Sequence, residues 1–381
     1  MLNANVSIKL VIMNNNKKIK IAVTAEFLCH SHFTGIENYL YNMVHSIASF
    51  DSIDLCLICP TCTPRSLLPA TATIYNHDSI NILGTKFISS LINPPKNLND
   101  FEIIHCPTVV APFFFNAGQK NRVKVVMTVH DLIPMLFPKF NIIRRRIYFN
   151  FFLKYRFHFV DHFIVPSESV KKDLQNKFRI KNQFIEVIYE GVSEKYTSIN
   201  NNKEDYILAV STLEPRKNFK RIIECYIDLK KNNLINDKLI IVGKAGWYYK
   251  DILNIPETLS QSIIFTGYVP ETELIKLYQK AKIFIYPSLY EGFGLPVLEA
   301  MACGCPVITS NISSLPEVGG KSTLLINPRS NNQLKYAIMK LCNDKRLRDS
   351  MVDKGIIQAK KFSWQKCAQQ TIKLYKKVLV S

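Results

Sequence analysis

Short runs rich in Val, Ile, Leu and Phe alternate with segments of helical periodicity, and the alternation runs through twice along the chain. The first series holds IKIAVTA (Ile19 to Ala25), IDLCLIC, FEIIHC, KVVMTV, HFIVP and FIEVIY, with helix-like stretches such as TGIENYLYNMVHSI between them. The second holds DYILAV, KLIIVG, SIIFTG, KIFIYP, PVITS and TLLIN. A strand that is apolar at successive positions cannot show one face to water, so it must be covered on both sides. Strand, helix and strand in repeated order then predict an α/β chain of two doubly wound, Rossmann-like parallel sheets. Sheets of this kind bind ligands beyond the carboxyl ends of their strands, so the cleft between the two is the expected site.

At 381 residues the chain exceeds what one hydrophobic core usually supports. The polar stretch Ser198 to Lys203 lacks periodicity and is the predicted linker. The expected division is residues 1–200 for one domain, 203–361 for the next, and a C-terminal helix over 362–381, from about Trp364 to Val380, placed to pack back on the first domain. The residues before Lys18 read as an extension, with Met13 an alternative start. The stretch Ser7 to Met13 is short, contains Lys9 and lacks the cleavage pattern of a secretory signal. With no run of about 18 apolar residues, no spanning helix is expected.

The net charge of +19 attracts polyanions. The usual nucleic-acid signatures are not apparent, so an anionic membrane surface and phosphorylated substrates rank above nucleic acid as partners. Ten cysteines are scattered over the elements rather than set in a dense framework, which predicts reduced thiols in a cytosol. Cys56, Cys59 and Cys62 stand three residues apart, but no second pair has zinc-ribbon spacing, so no metal site is expected.

The segment PSLYEGFGLPVLEAMACGCPVITSN, Pro287 to Asn311, carries the chemistry. Gly292 and Gly294 allow close backbone approach to a ligand. Pro296 suits a first helical turn and Gly304 the position just past a helix end, predicting a short helix from Pro296 to Cys303 whose N-terminus faces the cleft. Such an N-terminus favours phosphate. Glu291 precedes this helix and Glu299 is expected in its first turn. Eight positions apart across a turn, the two carboxylates need not share a face, so two hydroxyl-binding tasks fit better than paired acid and base. The competing reading is that Glu299 complements the helix dipole and the glycines only turn the chain.

As a string, the segment closely resembles the E(x)7E motif of retaining glycosyltransferases of family 4, which have the two-Rossmann-domain GT-B fold. The resemblance implies that Glu291 and the backbone of Phe293, Gly294 and Leu295 contact donor sugar and diphosphate, and that Glu299 holds the ribose hydroxyls. STLEPRKNFKRIIECY, from Ser211, is similar to the family's PRKN segment; Arg216 and Lys217 would neutralise the diphosphate as the glycosidic bond breaks. Relatives often carry an Arg where this chain has Ser211, and Arg216 is the candidate to take over that role. HFTGIENY, His32 to Tyr39, occupies the place of the family's glycine-rich loop, with Gly35 near the diphosphate. TVHDLIP resembles the HD segment, in which His130 approaches the transferred sugar and Asp131 orients it or assists the acceptor. VGKAGW and TGYVPETEL match loops lining the base pocket, with Tyr268 near the base.

The wording of these motifs resembles the mannosyltransferase-type branch of bacterial O-antigen and capsule synthesis. It implies retaining, metal-independent transfer of a hexose, with GDP-mannose the favoured donor, no cofactor, and a saccharide or lipid-linked acceptor. Other nucleoside diphosphate hexoses are the first alternative. A sugar-nucleotide epimerase of the same fold, or a non-enzymatic basic protein binding nucleic acid or membrane, are the rivals from other classes. Between Lys139 and Lys181 eleven Lys or Arg stand against three Asp or Glu, with RRRIYFNFFLKYRF within. This basic aromatic stretch is equally a surface for an anionic bilayer or a core helix with a solvated rim. Bilayer binding would place the protein on the cytoplasmic face of the plasma membrane.

Overall fold

The computed structural model describes residues 18–29, 33, 35–77, 100–109, 123–137, 153, 157–199, 203–246 and 255–381. They form two sheets, parallel throughout. The first comprises β1 (Ile19–Thr24), β2 (Ile53–Pro60), β3 (Thr73–His77), β4 (Ile103–Cys106), β5 (Lys124–Thr128), β6 (His162–Val165) and β7 (Ile185–Val187), in the order β3-β2-β1-β4-β5-β6-β7. The second comprises β8 (Glu204–Val210), β9 (Lys238–Val242), β10 (Ile263–Gly267), β11 (Ala281–Tyr286), β12 (Val307–Ser310) and β13 (Leu324–Ile326), in the order β10-β9-β8-β11-β12-β13. The strand order reverses between β1 and β4 and again between β8 and β11. Adjacent strands there send their following loops to opposite faces, which opens a crevice at the carboxyl edge.

The burial of the strands explains their composition. Every residue of β4, β6 and β12 is buried, as helices covering both faces require. β3, which carries no strong apolar signal, is an edge strand with Thr73, Tyr75 and Asn76 exposed.

The chain passes between the sheets twice. Ile188 is buried in the first core and Tyr196 in the second; Phe362 is buried in the second and Trp364 back in the first. The crossings meet in a parallel bridge between Val192 and Ser363. Ser363 then caps the last helix, Trp364–Val380, by accepting from the Lys366 N–H. That helix buries Trp364, Cys367, Ala368, Ile372, Leu374, Tyr375 and Val378 with Leu40, Met43 and Ile47 of the helix Gly35–Ala48.

Further contacts hold the sheets' edges together. Glu317 of the second domain accepts from the Glu168 and Ser169 N–H groups at 2.8 and 2.9 Å, capping the helix Glu168–Phe178 of the first. Tyr290 donates to Asp173 across the same gap at 2.7 Å. Among the described residues no helix is long and apolar enough to cross a membrane. Residues 144–146 and the predicted linker positions 200–202 lie outside the described residues. Of the aromatic stretch, Leu153 and Phe157 are buried in the first core, the ring of Phe157 against Phe163 and Phe178.

Candidate active site

Two loops meet at the reversal between β8 and β11. Beyond β8 the chain makes a tight turn, Pro215–Lys217, and begins the helix Phe219–Lys231 at Asn218, which has a left-handed φ of 63°. Asn tolerates that region. Its side chain donates to the carbonyls of Pro287 and Pro328 at 3.1 and 2.8 Å, and the Leu289 N–H bonds the Arg216 carbonyl at 2.9 Å. The PRKN turn is thereby locked against the loop after β11.

This lock turns the two cations inward, away from the solvent that charges at a helix start otherwise face. Arg216 and Lys217 have side chains only 11% exposed, and Glu291 lies between them. Its Oε1 is 2.8 Å from Lys217 Nζ and its Oε2 3.0 Å from the Arg216 guanidinium. Arg216 also pairs with Glu214 and donates to the Tyr290 carbonyl; Lys217 donates to the Tyr286 hydroxyl at 2.6 Å. Burial alone would raise the Glu291 carboxyl, but Arg216 and Lys217 outweigh it and hold the pKa at about 2. Burial in turn lowers Lys217, with Arg216 adding to the effect against the pull of Glu291.

The glycines of the motif serve close approach and backbone conformation. A Cβ on Gly292 would lie 2.0 Å from the carbonyl oxygen of His130, so here the loop touches the first domain directly. Gly294 has a φ of 120°, a region that side chains disfavour, and its carbonyl accepts the first bonds of the helix Leu295–Ala302. The backbone N–H groups of Gly294 and Leu295 precede the first intrahelical bond. Phe293 is anchored by its ring against Phe362 and Tyr189, while its carbonyl accepts from Ser314 at 2.6 Å. Ser313, itself at a left-handed φ of 55°, accepts from the Glu291 N–H at 2.9 Å.

Two expectations are corrected. Glu299 lies in the second turn of its helix, because the helix begins at Leu295 and ends at Ala302. It accepts from the Tyr278 hydroxyl at 3.1 Å. Burial raises its carboxyl to about 7, against the smaller lowering effect of that bond. Asp131 does not orient His130: it accepts from the Ile133 N–H at 2.9 Å, as an Asx turn does. Glu190 takes that place, 3.1 Å from His130 Nδ1, while Nε2 lies 2.9 Å from the Pro107 carbonyl oxygen.

The structure therefore brings Arg216, Lys217, Glu291, Phe293, Gly294, Leu295 and His130 to one place. Glu299 lies one helical turn beyond. Tyr268 follows β10, two strands or about 10 Å from β8, half-exposed with Lys244 Nζ 4.8 Å from its ring centre. Gly35 starts its helix with open space where a Cβ would be; neighbouring His32 and Thr34, like Trp247 of VGKAGW, lie outside the described residues. Sequence reasoning missed Glu190, Ser313, Ser314 and Tyr278, none of which stands in a motif that announces it. Cys56 and Cys59 are buried in β2 and Cys62 is exposed. No cluster of three His, Cys, Asp or Glu able to hold a metal is found among the described residues.

Residues 33–196 match Glycosyltransferase Family 4 and residues 193–358 match the Glycosyl transferases group 1 family. An uncharacterized glycosyltransferase of Methanocaldococcus jannaschii is 31% identical over 314 residues, which are 79% of this chain and 84% of that protein. The chain belongs to glycosyltransferase family 4. O-antigen chain mannosyltransferase B of Escherichia coli is 41% identical over 175 residues, 45% of this chain and 46% of its own length. The chain thus spans less than half of that relative. Among solved structures, HepE of Anabaena, in complex with UDP and glucose, superposes with a TM-score of 0.70 at 17% identity, covering 94% of this chain and all of that one. This last likeness places the chain in the GT-B fold.

Proposed function

We propose that this family 4 glycosyltransferase moves a hexose, with retention and without a metal, from a nucleoside diphosphate sugar to a saccharide or lipid-linked acceptor of a bacterial surface polysaccharide. Mannose from GDP-mannose is the favoured donor. The name of the Escherichia coli relative supports mannosyl transfer and O-antigen synthesis; the UDP-bound HepE structure makes a UDP-sugar the first alternative.

One observation carries the reading: Glu291 lies between two cations whose side chains are only 11% exposed, at the β8/β11 reversal beside a helix N-terminus. Arg216, Lys217 and the free N–H groups are preorganised for the charge that develops on a leaving diphosphate. Because their orientation is fixed by Asn218 and Glu291 before substrate arrives, little reorganisation remains for the transition state. Fixed side-chain cations supply the charge that a metal ion would otherwise bring, and the sequence contains no Asp-x-Asp triplet. Glu291 and the Phe293 to Leu295 backbone bind the donor sugar and diphosphate, Glu299 the ribose, Tyr268 and Gly35 the outer parts of the nucleotide, and His130 the transferred sugar. The leaving phosphate takes the proton of the incoming hydroxyl on the same face of the sugar. The basic stretch around Arg144 holds the protein at the anionic inner face of the plasma membrane.

The test is a turnover screen of GDP-, UDP-, ADP- and CMP-sugars with lipid-linked acceptors, reading product anomer by NMR. GDP-mannose should give an α-linked product, and Lys217→Ala should cost about 10²–10³-fold in kcat. An inverted product refutes retention; full activity of the variant removes Lys217 from the machinery.

A further inference from the structure

Glu190 stands in the first segment that crosses between the domains and is 5% exposed. Its carboxylate faces Nδ1 of His130 at 3.1 Å, and the other ring nitrogen faces the Pro107 carbonyl at 2.9 Å. A carbonyl oxygen has no hydrogen to give, and a carboxylate has none either. Both ring nitrogens therefore donate, unless Glu190 itself holds the proton; in either case the pair carries one proton more than a neutral imidazole beside a carboxylate.

The surroundings leave the ring little freedom. Tyr39 meets it edge-on with centroids 4.5 Å apart, and the Tyr39 hydroxyl lies 3.1 Å from Thr128. Thr128 lies 2.8 Å from His105 Nε2, and His105 Nδ1 lies 2.7 Å from the Tyr375 hydroxyl of the last helix. Burial lowers His105 to about 3, with His130 adding to the effect, so it stays neutral as a fixed link. Asp131, next to His130 in the chain, feels the charges of Arg216 and Glu291 across the cleft. Glu190 is the carboxylate in hydrogen-bond contact with the ring.

We propose that Glu190 is a positioning residue for glycosyl transfer, holding the His130 ring protonated on both nitrogens at the face where the transferred sugar lies. This rests on the reading of the cleft as a sugar-nucleotide site. Two residues after Glu190, Val192 pairs with Ser363 of the second crossing. The ring is thus held by Pro107 and Tyr39 of its own domain on one side and by the crossing segment on the other.

The experiment compares the full-length protein with Glu190→Gln, His130→Gln and the double variant. Ring-nitrogen NMR of the wild type at about pH 7 should show two protonated nitrogens on His130, and Glu190→Gln should convert one to the unprotonated type. Glu190→Gln should lower kcat about 10- to 100-fold with donor KM little changed, and Glu190→Asp should recover part of the loss. In the His130→Gln background the same change should add nothing. An unprotonated ring nitrogen in the wild type overturns the proposal without any variant, as does an equal loss with and without the His130 side chain. Should no sugar nucleotide turn over, the reading of the cleft fails, whereas the ring resonances still decide whether Glu190 holds His130 as a double donor.

Discussion

Glu291→Gln keeps the shape of the side chain and removes the charge between Arg216 and Lys217. Arg216 retains Glu214, while Lys217 retains only the Tyr286 hydroxyl among its contacts described above. A carboxyl held at about 2 against an ordinary 4.5 contributes about 3 kcal/mol at neutral pH. The same order follows from the cost of about 3–5 kcal/mol for breaking a buried ion pair. The sign is set by the depressed pKa: the contribution is complete above about pH 4.5 and is lost as pH falls through about 2. Urea unfolding at about pH 7 should place the variant about 3 kcal/mol below wild type, with the gap less than half as large at about pH 3. A nucleoside diphosphate should narrow the gap at neutral pH, because its phosphates replace the missing negative charge. A gap that is absent at neutral pH, or that widens on acidification, would refute the ion-pair account of this site.

Glu299 should behave with the opposite sign, since burial raises its carboxyl to about 7 and the cost of ionising it grows as pH rises above about 4.5. Glu299→Gln should be more stable than wild type at about pH 8, equal to it at about pH 4, and weaker in donor binding by about tenfold; unfolding curves and calorimetric titration check this. Replacing Arg144, Arg145 and Arg146 together by Ser should weaken sedimentation with anionic vesicles by about 100-fold, at about 1 kcal/mol per basic residue near the surface. Unchanged partitioning would count against membrane attachment.

The amino-acid sequence alone determined the parallel sheets, the turn and short helix after β11 and the final helix from Trp364 to Val380, because these depend on local signals. A strand buried on both faces is apolar throughout, and a helix that starts with Pro and stops at Gly declares its ends within a few residues. β3 escaped notice for the converse reason, being an exposed edge strand with little apolar pattern. Only the tertiary structure decided which way Arg216 and Lys217 point, because cations at a helix start face solvent unless another loop supplies a carboxylate, and Glu291 is distant in the chain. The same holds for His130. Its neighbour Asp131 is spent on the Ile133 N–H, and its partner Glu190 arrives from the crossing segment, 60 residues further along the chain. Local pattern records where a side chain is buried; which charge it meets there depends on long-range packing, to which periodicity is blind.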